Sequence, residues 1–243
     1  MASHDDSIDP QVYARIGGAL YLVIIVLGLF AEGVVSSRLV APGDAIATAR
    51  NIMASESLWR IGVAANMIVV LCAVPLLVIE YLLLRPVSRT VVLLAVFFNL
   101  VSLAVESVSK LFSFAVLSPL GSAAYLTAFD ARQLDVLASL ALRSHDIGFN
   151  ISLIFFGFTC IFNGWLIFRS GYFPRLVGVL LAIAGCCYLV ASPAALLAPK
   201  FLDAISPAIL VPCLVGELSF CLWLLVKGVD VPKWQALTGA TRS

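Results

Sequence analysis

Glu106 and Lys110 are the residues of this sequence whose types and spacing most invite chemistry, an acid and a base one helical turn apart inside a run of apolar side chains. In that order they make the favoured i,i+4 ion pair of a helix. A charge carried to bilayer depth costs at least about 2.5–3.5 kcal/mol near a helix centre, so the pair needs a reason to be there. Asn99, Ser102, Glu106, Ser109, Lys110 and Ser113 recur at steps of three and four, apart from the neighbours Ser109 and Lys110. That spacing draws a polar stripe down one helix face. The stripe suits a self-neutralised pair that holds helices together, or a proton- or ion-binding site lining a cavity.

A second acid, Glu217, lies in the middle of a late apolar run, beyond Pro207 and Pro212. Those prolines remove backbone donors and leave carbonyls free to bind something. No basic residue is near Glu217 in sequence, so its expected partners are Lys110 or Arg60. His145, Asp146 and Asn150 open another apolar run. Asp146 is expected to cap a helix N-terminus, where the macrodipole favours an anion, with Asn150 one turn deeper on the same face. Asp146 could also orient His145 or meet a cation from another helix. Glu32 and Glu80 sit nearer the ends of their runs and are expected to snorkel to the interface.

The elements that must position these groups are membrane helices. Of 243 residues, 62% are hydrophobic and 12% charged, with a mean hydropathy of +1.07, whereas soluble domains carry roughly 25% charge. Six apolar segments can be drawn, at about 14–37, 59–84, 89–117, 146–169, 173–198 and 204–227, each long enough to cross a bilayer. They must be helical, because lipid offers backbone groups no partner and the alternation of a membrane barrel is absent. The expected fold is therefore all-α: a polytopic six-helix membrane bundle forming a single domain. Two stretches between spans, from Asp44 to Met53 and from Tyr125 to Leu142, carry apolar residues at helical spacing. They are read as short amphipathic helices lying along the membrane surface or capping the bundle, and the sharper alternative is a lid over a pocket.

Short basic connections at Arg85–Arg89 and around Arg169–Arg175 favour a cytoplasmic-membrane orientation with both termini inside, together with Arg15, Lys227, Lys233 and Arg242. The first run follows His4, Asp5, Asp6 and Asp9 instead of a basic leader, and is read as a retained span rather than a signal peptide. Cys72, Cys160, Cys186, Cys187, Cys213 and Cys221 all fall in apolar stretches and read as packing residues, not as a disulfide framework. A net charge of +1 without a run of like charges speaks against nucleic acid as a partner. No phosphate loop, nucleophile elbow or His-Glu-x-x-His appears. With His4 as the only other histidine, neither a metal site nor a cofactor is expected. Gly157 and Gly164, a heptad apart, are expected to allow close helix packing.

Several segments together resemble one membrane-protein family. They are Arg15-Ile16-Gly17-Gly18, Asn51-Ile52 with Leu58-Trp59-Arg60-Ile61-Gly62, and Leu83-Leu84-Arg85-Pro86-Val87-Ser88-Arg89. Phe156-Gly157 through Leu166-Ile167-Phe168-Arg169-Ser170 to Phe173-Pro174-Arg175-Leu176-Val177-Gly178 belongs with them, as does Pro212 through Glu217 to Leu222-Trp223-Leu224-Leu225-Val226-Lys227-Gly228. The family is that catalogued as domain of unknown function 4386. The resemblance runs over nearly the whole chain in order. It implies a six-helix integral membrane protein of bacteria or archaea and implies no activity. Relatives often end the second span in a Leu-Tyr pair where this chain has Glu80-Tyr81, so the resemblance assigns Glu80 no role.

The leading expectation is a small-molecule- or ion-binding bundle, of the kind a proton-coupled carrier or a sensor would use. Its polar centre is built from Glu106, Lys110 and Glu217 with Arg60, Asn66 and Asn99 nearby. The alternatives are an intramembrane enzyme acting on a lipid or quinone, with His145 as base and Asp146 as orienter, and a structural subunit that packs against another membrane protein. The expected partners are membrane lipids and a small-molecule or ion ligand.

Overall fold

The computed structural model describes residues 9–121 and 123–240. His4, Asp5, Asp6 and Arg242 lie outside the described residues. Nine helices carry nearly all of the described chain: α1 Pro10–Leu39, α2 Ala45–Ala54, α3 Glu56–Leu84, α4 Arg89–Ala115, α5 Ala131–Ser170, α6 Arg175–Leu197, α7 Pro199–Ile205, α8 Leu210–Val226 and α9 Val231–Ala240. Five of them, α1, α3, α4, α5 and α6, are long and apolar enough to cross a membrane. With no strand among the described residues, this is an all-α polytopic membrane protein.

The sixth span drawn from sequence is a bent pair. Helices α7 and α8 meet at 66°. Ser206 leaves α7 in an extended conformation (φ −83°, ψ 145°), the region favoured for a residue before proline, and Pro207 has no N–H with which to continue the ladder. Helix α8 alone, with 17 residues, is ~25 Å long at 1.5 Å per residue.

Helix α5 is 40 residues long. The amphipathic stretch expected as a second surface helix forms its first turns, after a short 3₁₀ turn at Ala124–Ala128. Asp130 and Gln133 close a capping box at its start, and Gly171, at φ 71°, closes its end. Asp146 therefore lies deep within a continuous helix. It does not cap a terminus, which corrects the sequence expectation. The other amphipathic stretch is a helix of its own, α2, capped by the Asp44 carboxylate on the Ala47 N–H at 2.9 Å.

At one end of the bundle the connections are short, and the ends of α3, α5 and α8 are tied together. The Tyr172 hydroxyl and the Trp234 indole both donate to the Leu83 carbonyl, at 2.7 and 3.1 Å. Gln11 bridges α1 to the α8–α9 turn, donating to the Lys227 carbonyl and accepting from the Val229 N–H, both at 2.9 Å. Arg15 donates to the Leu225 carbonyl. Burial pushes the Tyr172 hydroxyl above its ordinary value. Its core contains Leu83, Leu84, Leu166, Ile167, Phe220 and Leu224. At the long-loop end, a separate core of Val35, Leu39, Ile52, Trp59, Val63 and Val116 lies beneath α2.

Glycines set the spacing of α5, α6 and α8. A Cβ added at Gly164 would fall 2.6 Å from the Gly178 carbonyl oxygen, and one at Gly185 would fall 2.5 Å from that of Gly157. Only hydrogens fit in this seam, the small-residue packing that membrane helices favour. All six cysteines are unpaired.

Candidate functional site

Lys110 is buried to 3% exposure in the long-loop half of the bundle, held between two carboxylates from different helices. Its ammonium lies 3.4 Å from Glu32 Oε1 on α1 and 3.8 Å from Glu106 Oε1 one turn back on α4. It also sits 4.4 Å from the Phe149 ring centre on α5, where the aromatic face helps to hold a cation. Asn66 on α3 donates to Glu32 Oε1 at 3.2 Å, and Ser36 donates to Glu32 Oε2 at 3.2 Å. Four helices thus converge on one ammonium and two carboxylates.

Glu32 reaches this position from an unusual backbone. Residues Leu29–Ser36 of α1 form a π-helical segment, whose wider turn shifts the register of the side chains it carries. Such segments recur at functional sites. Glu32 was expected to snorkel to the interface, and the structure instead turns it inward. Its side chain keeps 36% exposure while Glu106 keeps 16%, so the cluster is approachable on the Glu32 side.

His145 on α5 stands beside the cluster, its ring buried and its Nδ1 3.0 Å from the Ser109 carbonyl oxygen on α4. His145 and Asp146 are both within electrostatic reach of Lys110 and Glu32. The group that orients the His145 ring is the Ser109 carbonyl, not Asp146, whose side chain is exposed. Asn150 donates to the backbone carbonyl of Asp146 at 2.9 Å and is half-buried. Neither Asp146 nor Asn150 makes a side-chain bond into the centre, so the base-and-orienter pair drawn from sequence is not formed.

Glu217 belongs to a second group, nearer mid-bundle. Tyr21 on α1 donates to its Oε2 at 3.2 Å and Tyr188 on α6 donates to its Oε1. Neither Lys110 nor Arg60 is its partner, as had been expected, because Lys110 is held by Glu32 and Glu106 and Arg60 by Glu56. Arg60 pairs with Glu56 at 2.7 Å, and the two side chains are 54% and 51% exposed, away from the interior. Asn99 is buried on the polar face of α4, but it lies eleven residues from Lys110, about 16 Å along the axis. The structure therefore gathers Glu106, Lys110, Asn66 and His145 into one place and leaves Glu217, Arg60, Asn99 and Asn150 elsewhere.

Glu80 completes the inventory of intramembrane acids. It is buried on α3 and accepts a hydrogen bond from Asn163 Nδ2 on α5 at 3.0 Å. This too corrects the snorkelling expectation. Glu217 is within electrostatic reach of both Glu80 and Glu106, so the acids are strung along the bundle axis. From Asn66 to Glu80 on α3 the string runs for fourteen residues, ~21 Å. Sequence reasoning missed Glu32, Glu80, Asn163, Tyr21 and Tyr188. A signal existed for the tyrosines: membrane tyrosines favour the interfaces, so one at mid-span needs a buried partner for its hydroxyl.

An apolar groove of about 550 Å³ opens between α3 and α4 beside this centre, lined by Val63, Met67, Leu71, Leu111 and Phe114, with Lys110 among its walls. A smaller cleft of about 410 Å³ lies at the short-loop end, between Tyr172, Trp223, Lys227, Asp230 and Lys233. Among the described residues no three His, Cys, Asp or Glu side chains converge in a way that would hold a metal ion.

A family model described as Domain of unknown function (DUF4386) matches residues 16–228. A protein of Archaeoglobus fulgidus named only as an uncharacterized protein is 28% identical over 161 residues, covering 66% of this chain and 80% of its own length. No solved structure matches the chain.

Proposed function

The chain belongs to the DUF4386 family, a description that specifies no reaction, and from that premise we propose that it is a proton-coupled carrier or sensor that binds an ion or small molecule at the Glu32–Lys110–Glu106 centre. The observation that carries this reading is a charge imbalance. Four membrane-helix carboxyl groups, Glu32, Glu80, Glu106 and Glu217, share one intramembrane ammonium, Lys110. An uncompensated charge in a low-dielectric interior is too costly to persist. The balance is made up by exchangeable positive charge, either protons or a bound cation, and a bundle with that property responds to pH or to an ion gradient. The supporting geometry is a cluster drawn from four helices, one of them carrying a π-helical segment, so that occupancy of the centre changes how α1 packs on α3 and α4. On this reading the chain lies in the cytoplasmic membrane with both termini inside, the orientation that its short basic loops favour.

Trp59 is the natural reporter. Its indole N–H donates to the Ser113 carbonyl at 3.2 Å, one turn beyond Lys110. In a variant with Trp165, Trp223 and Trp234 replaced by Phe, Trp59 fluorescence titrated with pH in lipid nanodiscs should show a transition that Lys110→Met abolishes and Glu217→Gln displaces. Identical titrations in all three proteins would refute a shared proton-linked centre.

The α3–α4 groove favours one second reading, in which the ligand is lipid-soluble and reaches Lys110 sideways from the membrane. Quenching of the same tryptophan by brominated fatty acid, lost in Met67→Phe, which narrows the groove without adding an indole, would select it. Equal quenching in both proteins would discard it.

A further inference from the structure

Asn163 carries an anomaly that the Lys110 centre does not explain. It is only 4% exposed, and its Oδ1 is a buried side-chain oxygen without a hydrogen-bond partner among the described residues. Leaving such an atom unmade costs about 1–3 kcal/mol, and each instance in a folded protein calls for a reason. The same amide donates through Nδ2 to Glu80 Oε2 at 3.0 Å. Glu80 is 7% exposed, and none of the ion pairs among the described residues includes it. Two anomalies thus meet at one place: an acid with no cation and an amide oxygen with no donor.

We propose that Glu80 and Asn163 form a proton-binding site, in which the carboxyl and the carboxamide pair as acid and amide. The added proton sits on Glu80 and is donated to Asn163 Oδ1, while Asn163 Nδ2 donates to the other carboxyl oxygen. One proton removes both anomalies, because it neutralises the acid and gives the orphaned oxygen its donor. Turning the amide over does not achieve this. With Glu80 ionised, a turned amide only exchanges the two contacts: Nδ2 then meets the other carboxylate oxygen, and Oδ1 is set against Oε2, still without a donor. Only the acid form satisfies every atom of the pair.

The neighbouring groups make the site responsive instead of inert. The titratable side chains that face Glu80 are Tyr21 from α1, Cys160 from α5 and Glu217 from α8. All three are neutral or anionic, so no neighbour offers a fixed positive charge in place of the proton. Glu217 is the one whose state feeds back: a negative charge there opposes a negative charge on Glu80. Release of the Glu80 proton is then favoured when Glu217 holds one, and the two sites exchange in alternation. The site lies on α3 and α5, away from Lys110, and does not depend on the Lys110 centre handling protons.

Infrared difference spectroscopy of the protein in lipid nanodiscs, stepped in pH and repeated in deuterated buffer, reads the proposed proton directly. The wild type should show a protonated-carboxyl C=O band that shifts on deuteration, and Glu80→Gln should lose it. Asn163→Leu keeps Glu80 but removes the amide, and should move that band toward the frequency of a carboxylic acid without a hydrogen bond. The proposal is overturned if Glu80→Gln leaves every protonated-carboxyl band in place, or if Asn163→Leu leaves the band unmoved. It is also overturned if sodium at constant pH removes the wild-type band, since the site would then take a metal cation where the proton is placed. Lys110→Met, recorded alongside, should leave the Glu80 band unchanged, which separates a failure here from a failure at the Lys110 centre.

Discussion

Glu32 and Glu106 on one side, and Glu80 and Glu217 on the other, are the same side chain in the same bundle given opposite surroundings. The first two share an ammonium and keep part of their surface open. The second two meet only phenols and an amide. The difference teaches that a buried acid in a membrane bundle has two solutions. A fixed cation from the protein offsets part of the charge. A hydrogen-bonded cradle without a cation makes the charge exchangeable, because a proton from outside must complete it. One half of this molecule therefore sets its acids against a cation of its own, and the other holds them on hydrogen bonds alone.

Breaking the first half should have the largest effect. Lys110→Met leaves Glu32 and Glu106 without their cation, and removing one partner of a buried ion pair costs about 3–5 kcal/mol. The partial exposure of Glu32 places the result near the lower figure. Thermal unfolding in detergent should show a large fall in Tm, and adding Glu32→Gln with Glu106→Gln to that variant should recover most of it. A Lys110→Met protein as stable as the wild type would mean that these acids already carry protons, and the two halves would no longer differ.

Breaking the second half should cost less and change more. Tyr188→Phe removes one hydrogen bond to Glu217, worth about 1 kcal/mol, and Glu217→Gln keeps the shape and an acceptor for at least one phenol. Their stabilities should lie close to that of the wild type. Proton uptake measured with a dye in unbuffered nanodiscs should nevertheless fall by one site in Glu217→Gln. If Glu217→Gln instead unfolds the protein as severely as Lys110→Met does, Glu217 is a structural anchor and the comparison fails.

The sequence displays half of this contrast. The stripe from Asn99 to Ser113 is written at steps of three and four within one helix, so its acid–base pair is readable without a fold. Glu32 is not readable in the same way, because it lies 78 residues from Lys110 and a π-helical segment turns it inward. Position along a span also misled. Glu80 lies one turn from the end of α3, where snorkelling is cheap, yet α5 continues past that level and offers Asn163. Arg60 shows the opposite error, since Glu56 one turn earlier claims it on the exposed side. Local spacing thus predicted the Glu106–Lys110 pair but not Glu56–Arg60, and the architecture predicted from hydropathy matched the bundle of apolar spans. Pairs between helices depend on rotation about each axis, which hydropathy leaves free.

The smallest effect belongs to the surface, and it calibrates the others. Asp230, just before α9, and Lys233, in its first turn, pair at 2.8 Å on the exposed surface. The Lys233 ammonium and its hydrogen bond hold the Asp230 carboxyl below the ordinary carboxylate range. A group depressed in this way adds stability above its unfolded value and loses it as pH falls through the folded one. Asp230→Asn should therefore lower Tm slightly at neutral pH, the difference should vanish in acid, and added salt should shrink it because the pair is solvated and screened. The Lys110→Met defect, which arises around a side chain only 3% exposed, should respond much less to the same salt. If salt relieved both variants alike, the Lys110 cluster would be open to water and no different in kind from a surface pair. If it relieved only Asp230→Asn, the three charges at Lys110 would be set by burial, as the contrast with Glu80 and Glu217 requires.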